Sequence, residues 1–297
     1  MKYRCGFYLL GLAVLIGLTG CVSSSEKIAK DSDTAAKPLR LRLMTYNIRI
    51  GIGGGDWDGN PAKINLAPAA RIISAQHVDL AGLQEVDRFR KRSGGLNEPK
   101  WLSEILSMKA AFEPAYSTPT SDGVNEDYGV ALLTPHWVHN FERFLLFKPD
   151  YSKSHPEYPD YYSEQRVLLH ALVSVRSRDL HVFVTHLGLT ADQRAKQVQE
   201  IIAIMARYAG PKILLGDFNA EPTAPEMAPL FGNYRDALAE AGVKNHDRKT
   251  FPVGNQSKEA IDHIFLSREF QVREAKVIHD STLASDHNPV FAEVELP

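Results

Sequence analysis

The chain has 297 residues, of which 44% are hydrophobic, 24% charged and 9% aromatic. This composition can fill a full-sized core and excludes a disordered, collagen-like or low-complexity protein. Lys plus Arg is 34 and Asp plus Glu is 36, a net charge of −2, which argues against general nucleic-acid binding through phosphate neutralisation.

Lys2 and Arg4 give a positive start, and residues 7–18 (FYLLGLAVLIGL) form an apolar or glycine run of 12 residues. That run is too short to span a bilayer and fits the core of a signal peptide. Leu18-Thr19-Gly20-Cys21 follows and resembles the lipobox of bacterial lipoproteins, in which the chain is cut before the cysteine and the cysteine is acylated. Residues 1–20 are therefore expected to be a lipoprotein signal peptide and Cys21 the lipidated residue. The alternative is an ordinary secretory signal with an incidental cysteine. Two or three acyl chains anchor stably where one is marginal. Cys5 and Cys21 are the 2 cysteines of the chain, so a disulfide framework and a cysteine-ligated zinc site are excluded. Val22 and Ser23 carry no acidic retention signal, which points to the outer membrane of a two-membrane bacterium, facing the periplasm or the exterior.

Residues 21–38 read as a flexible tether, being small and charged with no apolar period. A coil of this length holds a domain roughly 20–25 Å from its anchor. Residues 39–297 contain no second linker or repeat and are expected to form one domain. Within it, alternation predicts a strand over 39–48, and apolar spacing with Leu66, Ala69, Ala70 and Ile73 predicts a helix over 62–77. A strand at 79–86 and a helix at 99–108 follow. Strand-like runs recur at 128–134, 137–147, 166–176 and 179–187. A helix over 191–208 ends at Gly210-Pro211, and a buried strand occupies 212–218. Short helices are expected at 224–231 and 234–241, then strands at 260–267, 270–279 and 288–295. Strand-rich halves with interspersed helices predict two stacked sheets covered by helices, an α/β sandwich.

The chemistry signal is a set of polar residues at strand ends. Asn47 closes the first strand, Glu85 the second, and His186 the strand at 179–187. Asp217 and Asn219 sit in GDFN, Asp262 opens IDHIF, and Asp286 and His287 stand in SDH. Each alone has a bland reading. Asp217 and Asn219 suit a turn, His186 suits a satisfied core histidine, and Glu85 suits a lysine partner. Strand ends at one edge of a sandwich converge, so together they form one candidate site.

The combination TYNI, LQEV, YGVALL, QRVLLHA, THLG, GDFN, IDHIF and SDHNPV is similar, in this order, to the endonuclease/exonuclease/phosphatase (DNase I-like) superfamily, and covers about residues 39–295. The resemblance implies a four-layer α/β sandwich of two stacked mixed β-sheets flanked by helices. It also implies phosphate-ester cleavage assisted by magnesium, with manganese as an alternative. Glu85 is then the direct metal ligand, Asn47 ligates or orients a metal-bound water, and Asp286 is a further ligand, since hard cations take oxygen donors. Asp217 orients and deprotonates the attacking water, and Asn219 donates to the phosphate or nucleophile. His287 with Asp262 resembles the family's His–Asp dyad, which favours an imidazolium. His186 and Tyr128 add donors to the phosphate. Arg166 supports them as a substrate-binding charge or braces the sheet edge. Many relatives carry an acid two positions after the first-strand asparagine; here that residue is Arg49, so either the metal is held with fewer protein ligands, mainly by Glu85 with waters completing the shell, or Arg49 contacts an anionic part of the substrate.

Two loops flank this set. In residues 51–60 (GIGGGDWDGN), Asp56 starts a calcium-like pattern, but Ala67 stands where the bidentate acid is required, so a tryptophan-bearing rim loop is expected instead. Residues 148–165 hold Tyr151, Tyr158, Tyr161 and Tyr162, which either stack on a substrate or pack the loop onto the domain. The densest basic cluster, Arg88, Arg90, Lys91 and Arg92, either guides an anionic substrate or forms a solvated turn.

The expected function is a lipid-anchored, metal-dependent phosphoesterase, monomeric, acting outside the cytoplasm. Its substrate would be a phosphodiester or phosphomonoester of a small molecule, a lipid headgroup or a nucleotide. The alternatives are an anchored nuclease, for which nucleic acid is a possible but disfavoured partner, and a non-catalytic binding module on the same fold.

Overall fold

In β1 (Leu39–Asn47), Leu39, Leu41 and Leu43 are buried while Arg40 and Arg42 face solvent, and from Met44 onward both faces are covered. A strand with this pattern has one face open to solvent at its start and then runs under a helical layer. The computed structural model describes residues 37–152, 155, 157, 160–253, 257–279 and 284–297. The expected signal peptide, Cys21, the tether up to residue 36 and Tyr158 lie outside the described residues.

The strands that follow are β2 (Leu80–Arg88), β3 (Lys109–Pro119), β4 (Asn125–Thr134), β5 (Trp137–Leu145), β6 (Val167–Val175), β7 (Arg178–His186) and β8 (Lys212–Asp217). They continue as β9 (Arg235–Asp236), β10 (Asp262–Leu266), β11 (Gln271–Val277) and β12 (Val290–Leu296). One six-stranded sheet has the order β11-β12-β1-β2-β4-β3, and the other β5-β6-β7-β8-β10-β9. Both are mixed: β1 and β2 are parallel in the first, β7 and β8 in the second, and the other pairs are antiparallel. The fold is the expected DNase I-like α/β sandwich.

Three apolar layers hold it together. Between the sheets lie Leu41, Leu43, Leu132, Leu169, Val182 and Leu215. Outside the first sheet, Met44, Tyr46 and Leu83 pack with Ile73 of α1 (Ala67–Ala75) and Leu102 of α2 (Glu98–Leu106). Outside the second, Phe183, Leu214 and Phe265 pack with Val198, Ile201 and Met205 of α3 (Ala191–Met205). At about 1.5–3 kcal/mol per fully buried large side chain, these layers supply the dominant folding term. The sheets approach closely where β2 meets β8. A Cβ on Gly82 would lie 2.7 Å from the Leu215 Cβ, so glycine is required there by space.

Three sequence expectations are corrected. The helix expected over 62–77 is a 3-10 turn at Pro61–Lys63 followed by α1, because Pro68, lacking an N–H, fits only a first turn. The stretch at 224–231 becomes a 3-10 turn, Pro225–Met227, leading into α4 (Ala228–Asn233). The stretch at 234–241 divides into β9 and α5 (Ala237–Glu240), where the Asp236 side chain caps the helix on the Ala239 amide. One strand, β3, has no counterpart among the sequence expectations. Pro114 and Pro119 mask it, and both are tolerated because β3 is an edge strand with a register shift between Pro114 and Tyr116. Among the described residues no helix is long and apolar enough to cross a membrane.

Candidate active site

Parallel pairing in both sheets brings chain ends to the same edge. β1 and β2 place Asn47 opposite Gln84, next to Glu85. In the second sheet, Asp217 at the end of β8 pairs with His186 on β7 and with Asp262 on β10. The segment before β12 supplies Asp286 and His287.

Local backbone devices aim these side chains. The β2–β4 register shifts between Leu83 and Val86, and within that bulge Glu85 has φ of 53°. A bulge re-aims a side chain, here toward the cleft, and a non-glycine residue at positive φ is uncommon. Asn219 also has positive φ, 50°, as the chain turns out of β8. Its amide N–H donates to Asp217 Oδ1 at 2.9 Å, and its Nδ2 donates to the Leu187 carbonyl at 3.0 Å, tying together the ends of β7 and β8. The Ser285 hydroxyl donates to the Asn47 carbonyl at 2.7 Å and accepts from the His287 amide at 3.2 Å, which pins SDH to the end of β1.

The side chains converge across the sandwich. Asn47 Nδ2 donates to Glu85 Oε1 at 3.0 Å and to Asp217 Oδ2 at 2.9 Å, bridging the two sheets. Its Oδ1 accepts from the Arg49 amide at 3.0 Å. His287 Nδ1 lies 2.9 Å from Asp262 Oδ2, and its Nε2 is 3.8 Å from Asp217 Oδ2. From the other side His186 Nε2 faces the same Asp217 oxygen at 3.5 Å. His186 Nδ1 accepts from Arg166 Nη1 at 3.2 Å, and Arg166 also pairs with Glu164 at 3.2 Å. Tyr128, Arg166 and His186 line one recess of about 10 Å³, room for about one water.

The electrostatics sort these groups into roles. Burial and the nearby Asp262 charge push Asp217 up to about 7, against the pull of His287 and the Asn47 bond. Burial opposes a charge on His287, but Asp262 and Asp217 outweigh it and raise the ring to about 10. The second imidazole behaves oppositely: burial, Arg166 and His287 hold His186 well below the ordinary histidine range. With Arg166 donating to Nδ1, the neutral His186 carries its proton on Nε2, pointing at Asp217. Burial raises the Tyr128 phenol well above its usual value, with the charges of Glu85 and Glu164 acting the same way, so it stays a donor.

Two places could hold a cation. Ligand atoms of Asp217, Asp262 and His287 lie within 4.8 Å of one another, close enough for a metal ion. There a metal would compete with a proton already shared between His287 and Asp262, in a ring whose proton affinity is raised. Glu85 fits a hard cation better. Burial raises its carboxyl, the Asn47 bond lowers it and the Asp286 charge raises it further. Among the described residues it has no cationic partner within ion-pair distance. A partly buried carboxylate of this kind, beside the cleft, suits magnesium with a shell completed by water.

Arg49 and Asp286 are brought to each other: Arg49 Nε is 3.1 Å from Asp286 Oδ2, and Nη1 donates to the carbonyls of Gly53 and Gly55 at 2.9 and 2.8 Å. The guanidinium thus neutralises Asp286 and organises the 51–60 loop. In the other loop Tyr151 is buried, with its hydroxyl on Thr190 and Asp192, so it packs the loop down, whereas Tyr161 is 55% exposed. The basic turn is largely used internally: Arg88 binds Asp127 and Arg92 binds Asp87 through two nitrogens each. The sequence alone assigns no role to Ser285, Glu164 or Phe251, whose ring lies 4.7 Å from that of His287. Ser285 stands within the SDHNPV motif; Glu164 lies just before QRVLLHA, outside the motif, and Phe251 belongs to no motif and meets His287 only through the fold.

A two-sheet sandwich with carboxylates, amides and one charged and one neutral imidazole at a shared edge defines a class of hydrolases built for anionic esters. The chain belongs to the endonuclease/exonuclease/phosphatase family, whose model matches residues 44–287. Members of this family are hydrolases acting on phosphoester bonds and are typically divalent-metal dependent. The fold is similar to that of a family protein from Bacteroides thetaiotaomicron, with a TM-score of 0.67, 18% identity, and coverage of 88% of this chain and 96% of that one. It is also similar to the mannosyl-6-phosphatase Bt3783 of Bacteroides thetaiotaomicron, with a TM-score of 0.63, 20% identity, and coverage of 86% and 99%. A UPF0294 protein of Klebsiella pneumoniae (strain 342) is 30% identical over 114 residues, 38% of this chain and 40% of that relative, so the match spans less than half of either.

Proposed function

We propose that the chain is a divalent-metal-dependent phosphoesterase that hydrolyses a phosphodiester or phosphomonoester of a small molecule, lipid headgroup or nucleotide outside the cytoplasm. The observation that carries this reading is the environment of Asp217, whose Oδ2 is approached by Asn47, His186 and His287 at 2.9, 3.5 and 3.8 Å. Magnesium, or manganese, held by Glu85 would supply charge neutralisation at the phosphoryl group, an effect of several kcal/mol. Asn47 sets the orientation of the Glu85 carboxylate, and Asp286 stands by as a further ligand once released from Arg49.

Asp217, poised near neutrality, takes a proton from the attacking water, and the Asn219 amide on Oδ1 holds the carboxylate in place. The His287 imidazolium, braced by Asp262, binds a non-bridging phosphate oxygen. His186 and Tyr128 donate to the same group as charge develops, with Arg166 fixing the His186 tautomer. Internal pairing of Arg88 and Arg92 leaves little of the basic turn for tracking a duplex, which favours a compact ester over long DNA.

Location rests on the sequence of the first 21 residues: we propose lipidation at Cys21 and an outward-facing membrane position. The test of the activity is hydrolysis of bis(p-nitrophenyl) phosphate, inositol phosphates, phospholipids and DNA by purified protein with and without magnesium. Glu85→Ala is expected to remove the magnesium-stimulated rate while circular dichroism stays unchanged. Full turnover by the folded variant would refute the assignment of the metal to Glu85.

A further inference from the structure

The end of the sandwich remote from the cleft carries an open groove of about 470 Å³ lined by Pro38, Arg40, Arg176, Arg273 and Glu295. That size falls within the range of small-ligand sites, about 300–1,000 Å³. Arg40 and Glu295 are direct cross-strand partners of β1 and β12, and Arg40 Nε donates to Glu295 Oε2 at 3.0 Å. Arg273 Nη2 donates to Glu295 Oε1 at 2.7 Å, so one carboxylate serves two guanidiniums. Arg176 is exposed and has no hydrogen-bond or ion-pair partner among the described residues. The acid of the same hairpin, Asp179, is taken up on the outer face of the second sheet by the Ser174 hydroxyl. The groove therefore keeps an excess of positive charge in a chain whose net charge is −2.

Two local irregularities aim these arginines. β6 and β7 are joined by the two-residue turn Arg176-Ser177, with φ of 49° and 66°. A turn with positive φ at both positions favours Asn-Gly, so an arginine there is a costlier choice. Arg273 is the extra residue of a bulge in β11, between Val272 and Glu274, and a bulge re-aims a side chain. Arg178 ties the turn to the neighbouring sheet. Its Nη1 donates to the backbone oxygens of Leu296 and Pro297 at 2.8 and 2.7 Å, and its Nη2 to that of Lys37 at 3.3 Å.

The same end carries Trp137, the first residue of β5, level with Ser174 and 61% exposed. Guanidiniums take phosphate oxygens in bidentate geometry, and tryptophan favours the boundary between lipid headgroups and acyl chains. The chain also comes in here, since Lys37 and Pro38 lead directly into β1.

We propose that this end of the sandwich is a membrane-docking face, its arginine groove binding the phosphate of an anionic phospholipid and Trp137 resting at the headgroup boundary. The proposal rests on the reading of Cys21 as the membrane anchor, which sets a bilayer beside this face. It adds what a flexible anchor alone does not give, an orientation. β1 runs from this face to Asn47 at the cleft, so a docked domain turns its cleft away from the bilayer and presents it to dissolved esters.

The test is co-sedimentation of the full Cys21→Ser chain, which cannot be acylated, with vesicles of phosphatidylcholine alone or mixed in equal parts with phosphatidylglycerol. Binding is expected to be tighter to the mixed vesicles, and the preference to shrink with added salt. At about fivefold per charge near an anionic surface, Arg176→Asn should weaken binding to mixed vesicles about fivefold, and Arg176→Asn with Arg273→Gln about 25-fold. Asparagine suits the positive φ of the turn, so the hairpin is retained. Lys91→Gln removes the same charge from a 90% exposed side chain in the turn after β2 and should leave binding unchanged. The apolar run at 7–18 is common to all these chains, so the differences between them carry the readout. Mixed vesicles should also shift tryptophan emission to the blue, and Trp137→Phe should abolish that shift. Equal binding to both vesicle types, an equal loss in Lys91→Gln, or an emission that mixed vesicles do not shift would overturn the proposal. Displacement from the vesicles by millimolar glycerol phosphate would overturn it too, by assigning the groove to a free anion. Acylation plays no part in this test, so its failure and a failure of the anchor in cell fractionation are read separately.

Discussion

Asp217 lies between two imidazoles of opposite character, and this asymmetry gives the site its pH dependence. Asp217, raised to about 7, must lose its proton to act as a base, so activity should rise with pH through that value. His287, raised to about 10, must keep its proton, so activity should fall as pH approaches 10. A bell-shaped rate profile is expected, its limbs belonging to the coupled cluster rather than to single residues. Asp217→Asn should reduce kcat by about 10²- to 10⁴-fold and abolish the acid limb; an acid limb that persists in the variant would exclude Asp217 as the base. Stability should follow the opposite trend. Both folded-state values lie above their unfolded counterparts, so the native state binds more protons and metal-free stability declines as pH rises. The Asp217 contribution is present below about 3.8 and lost through about 7; that of His287 is present below about 6.5 and lost through about 10. Asp217→Asn should therefore raise the Tm of EDTA-treated protein at pH 8, because it removes a buried carboxylate held near others. An unchanged or lower Tm would show that the carboxylate is better satisfied than its burial implies.

At the scale of the element, the cleft depends on where β2 lies against β8. Gly82 permits that approach, three residues before Glu85, which the bulge turns inward. Gly82→Ala would push a methyl carbon into Leu215 in a packed layer, an overpacking cost of about 1–3 kcal/mol. Urea denaturation should show this loss, and kcat should fall with it because Glu85 moves relative to Asp217. A stable variant with normal kcat would mean that the two sheets yield without disturbing the site. The same element shows what sequence reveals. The strand and its glutamate are legible from LQEV, but the bulge and the positive φ of Glu85 are not, because they arise from pairing with β4. β3 is invisible in the sequence for a related reason: its prolines argue against a strand unless it is known to lie at an edge. Arg49 shows the limit for side chains. Its position relative to Asn47 is readable, whereas its partnership with Asp286, far along the chain, exists only in the folded protein.

In the molecule as a whole, chain entry and chemistry lie at opposite ends of β1. The chain enters the sheet at Leu39, while Asn47 closes the same 9-residue strand at the cleft. At about 3.3 Å per residue that is roughly 26–30 Å of strand. If Cys21 carries the proposed acyl chains, the tether joins the domain at the end remote from the cleft. Anchoring then leaves access of a dissolved substrate unhindered. Cys21→Ser is expected to move the protein from the membrane pellet to the soluble fraction. Its kcat/KM on bis(p-nitrophenyl) phosphate should stay within about twofold of wild type, since neither Asp217 nor His287 senses the anchor. Continued sedimentation of the variant with membranes would remove the lipid anchor from the account. A marked change in kcat/KM on this soluble ester would instead show that the anchored end communicates with the catalytic edge through the sandwich.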